Sequence, residues 1–485
     1  MQFGVLFCME ERLNKLKRLK ELNINPYPYR FDRTHNFSEI KQRFEELSSN
    51  QTTVRTAGRI IAIRGHGKTT FATLNDENEK LQIYLRKQDL GDYYNIFENF
   101  DIGDFIGVEG KLFKTKTGEI TVLVEKFILL TKSLRPLPEK WHGLRDIEIR
   151  YRKRYLDLIA NPEVRGIFKG RSKIVSLLRN FFDSRGFLEV ETPVLQPVYG
   201  GAAARPFKTF YNALDQEMYL RIADELYLKR LIVGGYEKVW EFCKDFRNEG
   251  LDRFHNPEFT MIEAYQAYTD YFGIMELVED LFEFLIKNLY SDNIITFQEK
   301  KVEIKRPFKR IKYTEVLNER LGVDILNMPD EDLNKICLKY GIKVENQTIG
   351  SKIDKLFSEL IQKSLIEPTF VIDYPKIISP LAKAHRNNPL LVERFELIIF
   401  GLEVANAFSE LNDPIEQRRR FEEQLAQREE GIGEIDEDFL EALEYGMPPT
   451  GGLGIGVDRL CMILLNQPSI RDVILFPQLR REDAH

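Results

Sequence analysis

Cysteine is scarce in this chain and never clustered: Cys8, Cys243, Cys337 and Cys461 are the four in 485 residues, and none belongs to a CxxC pair. That excludes a disulfide scaffold and fits the reduced thiols of a cytoplasmic protein. Histidine is equally sparse, with six residues scattered along the chain, so no zinc ligand set is expected. No apolar run approaches the length needed to cross a bilayer, and no membrane partner is expected. Residues Met1 to Cys8 are apolar but lack the basic start and the small-residue cleavage site of a secretory signal. Met9, directly before a charged helical segment, is an alternative start. A surplus of positive charge is missing too. The net charge is −6, so no DNA partner is expected, and any RNA contact must come from local patches.

Apolar residues make up 43% and charged residues 30% of the sequence, the balance of a soluble globular chain. Its length exceeds what one core organises, so two or three domains are expected. Glu10 to Leu22 spaces four leucines among Arg12, Lys15, Lys17, Arg18 and Lys20. That is an amphipathic basic helix, either packed on the next domain or steering RNA weakly. From Thr52 to Thr131 short strands follow one another: VRTAGRIIAI, TTFATLND, KLQIYLR, FIGVEGKLF and EITVLVEKFILL. Five strands with Gly-bearing turns suit a small barrel of the OB-fold type, which grips single-stranded bases by stacking and edge hydrogen bonds. Within it, AIRGHGKT (Ala62 to Thr69) nearly matches the phosphate loop GxxxxGK(S/T). Position 62 is Ala and the following TTFATL reads as strand, so Gly65 to Lys68 is read as a hairpin turn. The Pro-rich LRPLPEKW (Leu134 to Trp141) is the natural joint, and Arg145 to Asp157 is a charged helix that faces solvent or RNA. Beyond Tyr268, to about Phe370, no chemistry-bearing pattern is visible. That stretch is read as scaffold with a helical insertion.

Chemistry concentrates in three places. Phe246 to Glu263 reads FRNEGLDRFHNPEFTMIE; its apolar-aromatic arms, Val239 to Phe246 and Phe259 to Tyr265, flank a polar tip with Gly250, Asp252, Arg253, His255 and Pro257. That is the pattern of an antiparallel hairpin. Such a hairpin would set Arg247 and Glu249 opposite Phe259 and Glu263. A guanidinium for a phosphate oxygen, a ring for a base and carboxylates for amines suit a nucleotide. An ordinary surface hairpin would read the same way. Gly446 to Arg459, GMPPTGGLGIGVDR, lacks the spacing of a dinucleotide fingerprint. It does place Arg459 at the mouth of a helix that starts directly after a Gly-rich strand. In Glu393 to Pro414, ERFELIIFGLEVANAFSELNDP, Glu396 and Glu403 stand on apolar strands. Buried acids need a cation or hydrogen bonds. Salt bridges to Arg394 or Arg459 and a magnesium ion shared with phosphates are both open on these residues alone.

The hairpin segment resembles motif 2 of the class II aminoacyl-tRNA synthetases, GLGIGVDRL resembles motif 3, and GFLEVETP (Gly186 to Pro193), entered from Ile174 to Phe182, resembles motif 1. Within that class, four further segments are similar to lysyl-tRNA synthetase: GGAAARPF (Gly200 to Phe207), YLRIADELYLKRL (Tyr219 to Leu231), ANAFSELNDP (Ala405 to Pro414) and IRDVILFP (Ile470 to Pro477). The resemblance covers nearly the whole chain and implies an α+β protein. An N-terminal OB-fold β-barrel is followed by a class II catalytic domain built on an antiparallel sheet flanked by helices. The implied layout is a helical segment at 1–50, an anticodon-binding barrel at 51–132, a linker at 133–155 and a catalytic domain at 156–485, its helical insertion around 268–370. One departure is the run GAAARPF after Gly200, where the family often has a hydroxyl residue.

The implied activity is ATP-dependent activation of L-lysine to lysyl-adenylate and its transfer to the 3′-terminal adenosine of tRNA(Lys), with Mg2+ as cofactor. Motif 1 resembles a dimer-forming element, so a homodimer is expected. Carried over residue by residue, Arg247 and Arg459 are the catalytic cations. The ATP contacts are Arg247, Glu249, Arg253, His255, Asn256, Phe259, Glu396 and Arg459; the Mg2+ ligands are Glu396 and Glu403. Lysine is held by Gly201, Glu225, Arg247, Glu263, Tyr265, Asn406, Phe408 and Glu410. Phe71, by itself a core-like residue, becomes a base stacker, with Gln82 and Glu119 reading anticodon edges. The pocket acids also argue on their own terms, since Glu225, Glu263 and Glu410 together demand a cationic guest. That argument requires them to lie near Arg247 and Arg459 and to be free of resident lysines. The alternatives are an asparagine- or aspartate-charging synthetase, a lysine ligase that modifies a translation factor, and a non-catalytic RNA-binding paralogue. The acids disfavour the first and the complete barrel disfavours the second. Loss of a signature arginine or glutamate would mark the third, and none is lost.

Overall fold

The computed structural model describes residues 2–138, 144–345, 347–426 and 434–481. Met1 and part of the Pro-rich joint lie outside the described residues. The chain divides into two compact units, Met1–Arg145 and Asp146–His485.

In the first unit, helix α1 (Gln2–Glu21) begins earlier than its charge pattern suggests. Leu19 is fully buried while Leu13 and Leu22 are exposed. The buried Arg12 guanidinium donates to the carbonyls of Ile102, Ser133 and Arg135, and Lys15 pairs with Asp101 at 2.7 Å. Two of the basic residues therefore anchor the helix rather than face outward.

Five strands, β1 (Thr53–His66), β2 (Thr69–Asn75), β3 (Lys80–Arg86), β4 (Phe105–Lys114) and β5 (Ile120–Thr131), close into a barrel in the order β1-β2-β3-β5-β4. The period-two alternation of β2 and β3 sends Ala72, Leu74, Leu81, Ile83 and Leu85 inward. His66 pairs with Thr69 across a turn in which Gly67 has φ +58, so the near-match to a phosphate loop is indeed a hairpin turn. The β4–β5 ladder slips between Glu109 and Gly110. A Cβ on Gly110 would meet the Leu123 carbonyl oxygen at 2.0 Å.

The second unit is organised by a nine-stranded, mostly antiparallel sheet. Its main strands are β6 (Leu188–Glu189), β7 (Lys238–Phe246), β8 (Glu258–Ala267), β9 (Lys309–Lys312), β10 (Thr369–Pro375), β11 (Asn388–Ile399), β12 (Leu402–Ser409) and β13 (Thr450–Gly456). They run in the order β9-β10-β11-β12-β13-β8-β7-β6, and a two-residue strand, Ala384–His385, pairs with β11. One face carries Trp240, Ile262, Ala264, Phe395, Leu397, Ala405, Leu453 and Ile455, all buried. Against it pack α2 (Val164–Asp183), α4 (Tyr271–Leu289) and the helix after β13, Val457–Leu464. Trp240 stacks on Phe182 with centroids 4.9 Å apart. Asp458 accepts from the Thr260 amide at 2.7 Å and pairs with Arg171 at 2.6 Å, which ties the Val457–Leu464 helix to β8 and α2.

The stretch 268–370, expected as scaffold with a helical insertion, contributes both a helix and a strand to the scaffold. Its helix α4 lies in the main core, and β9 pairs in parallel with β10 as part of the sheet. The apolar spacing of α4 marks a helix but not which sheet it covers, and that is why the sequence left it unassigned.

Because Gly110 sits where two backbones touch, Gly110→Ala should destabilise the barrel by about 1–3 kcal/mol. Hydrogen exchange across residues 105–131 should accelerate while residues 238–267 keep their protection.

Candidate active site

The opposite face of the sheet is the floor of a cavity of about 960 Å³. Strand alternation fixes what it presents. While Leu453 and Ile455 point into the core, Gly452, Gly454 and Gly456 line the cavity. Backbone pairing forms the row Glu263–Gly454–Asn406–Glu396 and, beside it, the row Tyr265–Gly452–Phe408–Arg394. The glycine strand keeps the floor low between two walls of side chains: a Cβ on Gly452 would lie 1.9 Å from Glu410 Oε1 and 2.7 Å from the Tyr265 ring. The GxGxG pattern, uninformative as a fingerprint, is explained by this close approach.

At one end lies the hairpin β7–β8. Glu263 is opposite Glu241, and Asp245 is opposite Phe259. Arg247 and Glu249 therefore follow the strand rather than standing on it, as the sequence reading had it. Arg247 is held by its amide on the Pro257 carbonyl at 2.9 Å, and its guanidinium stands over Phe259, 5.0 Å from the ring centroid. A flat aromatic wall backed by a guanidinium suits a purine and its phosphate. His255 joins Asp252 at 2.7 Å through Nδ1 and meets Arg459 at 3.2 Å through Nε2. Asn256 lines the cavity with its amide fixed on the Glu258 carbonyl, and Glu249 lines it too. Arg253 does not line it; its carbonyl accepts from the Ile470 amide. Its position at the hairpin tip, next to His255, had suggested otherwise.

Further along the row, Arg394 pairs with Glu396 at 2.6 Å and Arg459 with Glu403 at 3.1 Å. The salt bridges that the sequence left open are thus present. They do not balance the site. Burial first, then the neighbouring charges of Glu403 and Asp354, push the Glu396 carboxyl up to about 8 against the pull of Arg394. Asp354, raised by burial and by Glu403, comes from α5 (Ile349–Leu360), whose Gly350, Ser351, Asp354 and Lys355 line the cavity. The sequence reading saw no chemistry in that segment. Three carboxyl groups crowd beside the two guanidiniums, and the raised Glu396 reflects that crowding; such a set of oxygen donors fits a hard divalent cation, which would favour their ionised forms.

Another part of the cavity is lined by Glu225, Glu263 and Glu410, together with Gly201, Tyr265, Asn406 and Phe408, the residues expected to hold the amino acid. Gly201 has φ +88, and a Cβ there would stand 3.0 Å from Ala223. The Tyr265 hydroxyl donates to Glu263 at 3.0 Å. The acids do share one cavity with Arg247 and Arg459. They are not free of a resident lysine: Lys229, fully buried on α3 (Glu225–Val233), pairs with both Glu225 and Glu410. One turn of helix separates Lys229 from Glu225, and the sequence reading overlooked it. Among the described residues Glu263 has no cationic partner; burial, then Asp224, Asp245 and Glu225, hold its carboxyl well above the usual range. Asp224, Cys243 and Asp245 lie within 4.8 Å of one another behind it. The Arg221 guanidinium, 3.3 Å from Asp245, already occupies the cationic place there.

On the barrel, Phe71 and Tyr84 stack at 4.2 Å on the outward face. Gln82, two residues from Tyr84, accepts from the Thr121 hydroxyl at 2.9 Å, and that hydroxyl is also within reach of the Glu119 carbonyl at 3.2 Å. The three expected base contacts are therefore neighbours, and Tyr84 joins them.

The displaced ionisation of Glu396 has a stability consequence. Its ordinary value is 4.5 and its folded value about 8, so the folded protein holds a proton that the unfolded chain releases. The stabilising effect of that proton is lost as pH rises from about 4.5 to about 8. Glu396→Gln should thus raise the thermal midpoint of the unliganded protein, relative to wild type, more at pH 8 than at pH 5.

Comparison with known proteins agrees with this geometry. A family model described as tRNA synthetases class II (D, K and N) matches residues 146–480, and one described as an OB-fold nucleic acid binding domain matches residues 54–130. A lysine–tRNA ligase of Carboxydothermus hydrogenoformans is 54% identical over 97% of this chain and 98% of its own length. That of Moorella thermoacetica is 51% identical over 98% of each chain. That of Halalkalibacterium halodurans is 51% identical over the whole of this chain and 99% of its own. The chain belongs to the lysine–tRNA ligases, within the class II tRNA synthetases.

Proposed function

We propose that the protein activates L-lysine with ATP, releasing pyrophosphate, and transfers the lysyl group from the adenylate to the 3′-terminal adenosine of tRNA(Lys). The observation that carries this is the single cavity in which Glu263, without an ion pair among the described residues, lies with Arg247, Phe259 and Arg459, beside Glu225 and Glu410, whose bridge to Lys229 leaves the three-acid charge argument resting on Glu263. The lysine carboxylate is ionised at neutral pH and attacks the α-phosphorus without a general base. The P–O bond to pyrophosphate breaks as the C–O–P bond forms. The residues position and neutralise. Arg247 meets the α-phosphate and the attacking carboxylate, Phe259 carries adenine, and Arg459, linked to His255, meets the distal phosphates. Glu249 and Asn256 contact the nucleotide. Glu396 and Glu403, with Asp354 beside them, would hold Mg2+, which supplies charge neutralisation between these acids and the phosphate oxygens. Glu263 and its neighbours take the ammonium groups, while Tyr265 and Phe408 wall the slot. An aspartate- or asparagine-specific pocket would need a basic or amide group where Glu263 stands. The enzyme is read as a cytoplasmic homodimer through motif 1, its barrel stacking anticodon bases on Phe71.

Exchange of labelled pyrophosphate into ATP, run with each of the twenty amino acids, should be stimulated by lysine; stimulation by aspartate or asparagine instead would overturn the proposal. Glu263→Gln should raise KM for lysine at least about tenfold with little change in KM for ATP. Phe71→Ala should leave exchange intact and cut kcat/KM for tRNA(Lys) by about tenfold or more, the loss of one stacked base.

A further inference from the structure

Lys229 lies outside the roles assigned above. It has no exposed surface, and its Nζ bridges the two cavity acids Glu225 and Glu410 from behind, 5.5 Å from the Phe408 ring centroid. Neither it nor any other lysine side chain reaches the lysine end of the cavity among the described lining residues. Burial works against its charge, yet the two carboxylates raise its affinity for the proton above the usual range. It is a permanent cation.

We propose that Lys229 is a specificity-determining, positioning residue: it cancels one of the three cavity carboxylates and aims Glu225 and Glu410 at the guest, leaving two negative charges for a substrate with two ammonium groups. The inference rests on the lysine-pocket reading above. Burial disfavours ionisation of all three acids, and a cationic guest favours it; with the guest bound and the three ionised, one internal ammonium leaves a surplus of two. Free lysine brings an α- and an ε-ammonium to that surplus, while its carboxylate is matched by Arg247. A guest with one ammonium leaves a buried charge unpaired, which costs heavily in a site of low polarity. Selectivity against amino acids with neutral side chains is then a matter of charge count as much as of shape. Without Lys229, Glu225 and Glu410 would face each other as like charges and capture a proton. The surplus would gain nothing, and both acids would lose the anchor that orients them.

Lys229→Met, which keeps the length and apolar stem, tests this in lysine-dependent pyrophosphate exchange. KM for lysine should rise at least about tenfold while KM for ATP stays within about twofold. A residue that only supported the fold would move both constants together, with the thermal midpoint. If the single variant does not fold, Glu410→Gln and Lys229→Met/Glu410→Gln complete the comparison, because the second change removes the buried charge left unpaired. Adding Lys229→Met to Glu410→Gln should cost less than about threefold in KM for lysine, since the two act as one unit. Fully multiplicative losses, or a Lys229→Met enzyme whose KM for lysine matches wild type, would overturn the proposal. Glu263→Gln separates the two levels: unchanged KM for lysine there sinks the pocket reading and this inference with it. A raised KM in Glu263→Gln with none in Lys229→Met sinks the role of Lys229 alone.

Discussion

Negative charge held away from water is the constraint on which the second unit turns. Glu225, Glu263, Glu396 and Glu410 all ionise less readily than a solvated carboxyl, burial being the first cause in each. A fold keeps such groups only where something else over-determines their place. Here that is the sheet. Its far side buries Trp240, Ile262, Leu397, Leu453 and Ile455 against three helices, and period-two alternation then leaves no choice about which residues face the cavity. The same strand that gives Leu453 and Ile455 to the core gives three glycines to the floor. Packing and chemistry are therefore set by one register, and a slip of one residue would exchange them.

Resident cations make that arrangement tolerable without completing it. Arg221 serves Glu241 and Asp245, Arg394 serves Glu396, Arg459 serves Glu403, and Lys229 serves Glu225 and Glu410. Among the described residues Glu263 and Asp354 have no ion pair at contact distance, and burial raises the carboxyls of both; they stand where the proposed function puts an ammonium and a divalent cation. Binding then gains from charge that folding has left uncompensated. This is preorganisation: the energy of holding the acids together is spent before the substrate arrives.

Much of this was legible in the sequence because it is local. The strands of the barrel, the β7–β8 hairpin and the Gly-rich strand before its helix are each written in a short run of residues, and the resemblance joined them into one enzyme. What escaped was contributed across long separations or hidden by helical periodicity. Asp354 arrives on a helix more than forty residues from Glu396 in sequence, with nothing near it to mark it. Lys229 sits in a stretch already quoted for its acid, and its spacing of four from Glu225 reads equally well as a solvent-exposed helix pair; only burial distinguishes the two. Arg253 lies outside the cavity lining, at the exposed tip of the hairpin.

The two rows of the floor also explain how one cavity handles opposite charges. Lysine carries both signs and ATP is a polyanion, so a uniformly negative pocket would repel the triphosphate and a uniformly positive one would repel the amines. Along Glu263–Gly454–Asn406–Glu396 the acids are separated by a glycine and an amide, and Asn406 is itself held by the Arg394 guanidinium at 2.9 Å. Arg247 stands over Phe259 at the hairpin end, and Arg459 beside Glu403 and His255. Two groups of acids are thus set apart, with guanidiniums standing beside them. In the proposed reaction both substrates present negative charge to each other at one place, carboxylate against α-phosphate, and there Arg247 would meet both. In that reading the attack needs no base, because the carboxylate is already ionised, and two anions must be brought together against their repulsion. A guanidinium fixed by its own backbone and by an aromatic ring lowers that repulsion without having to move.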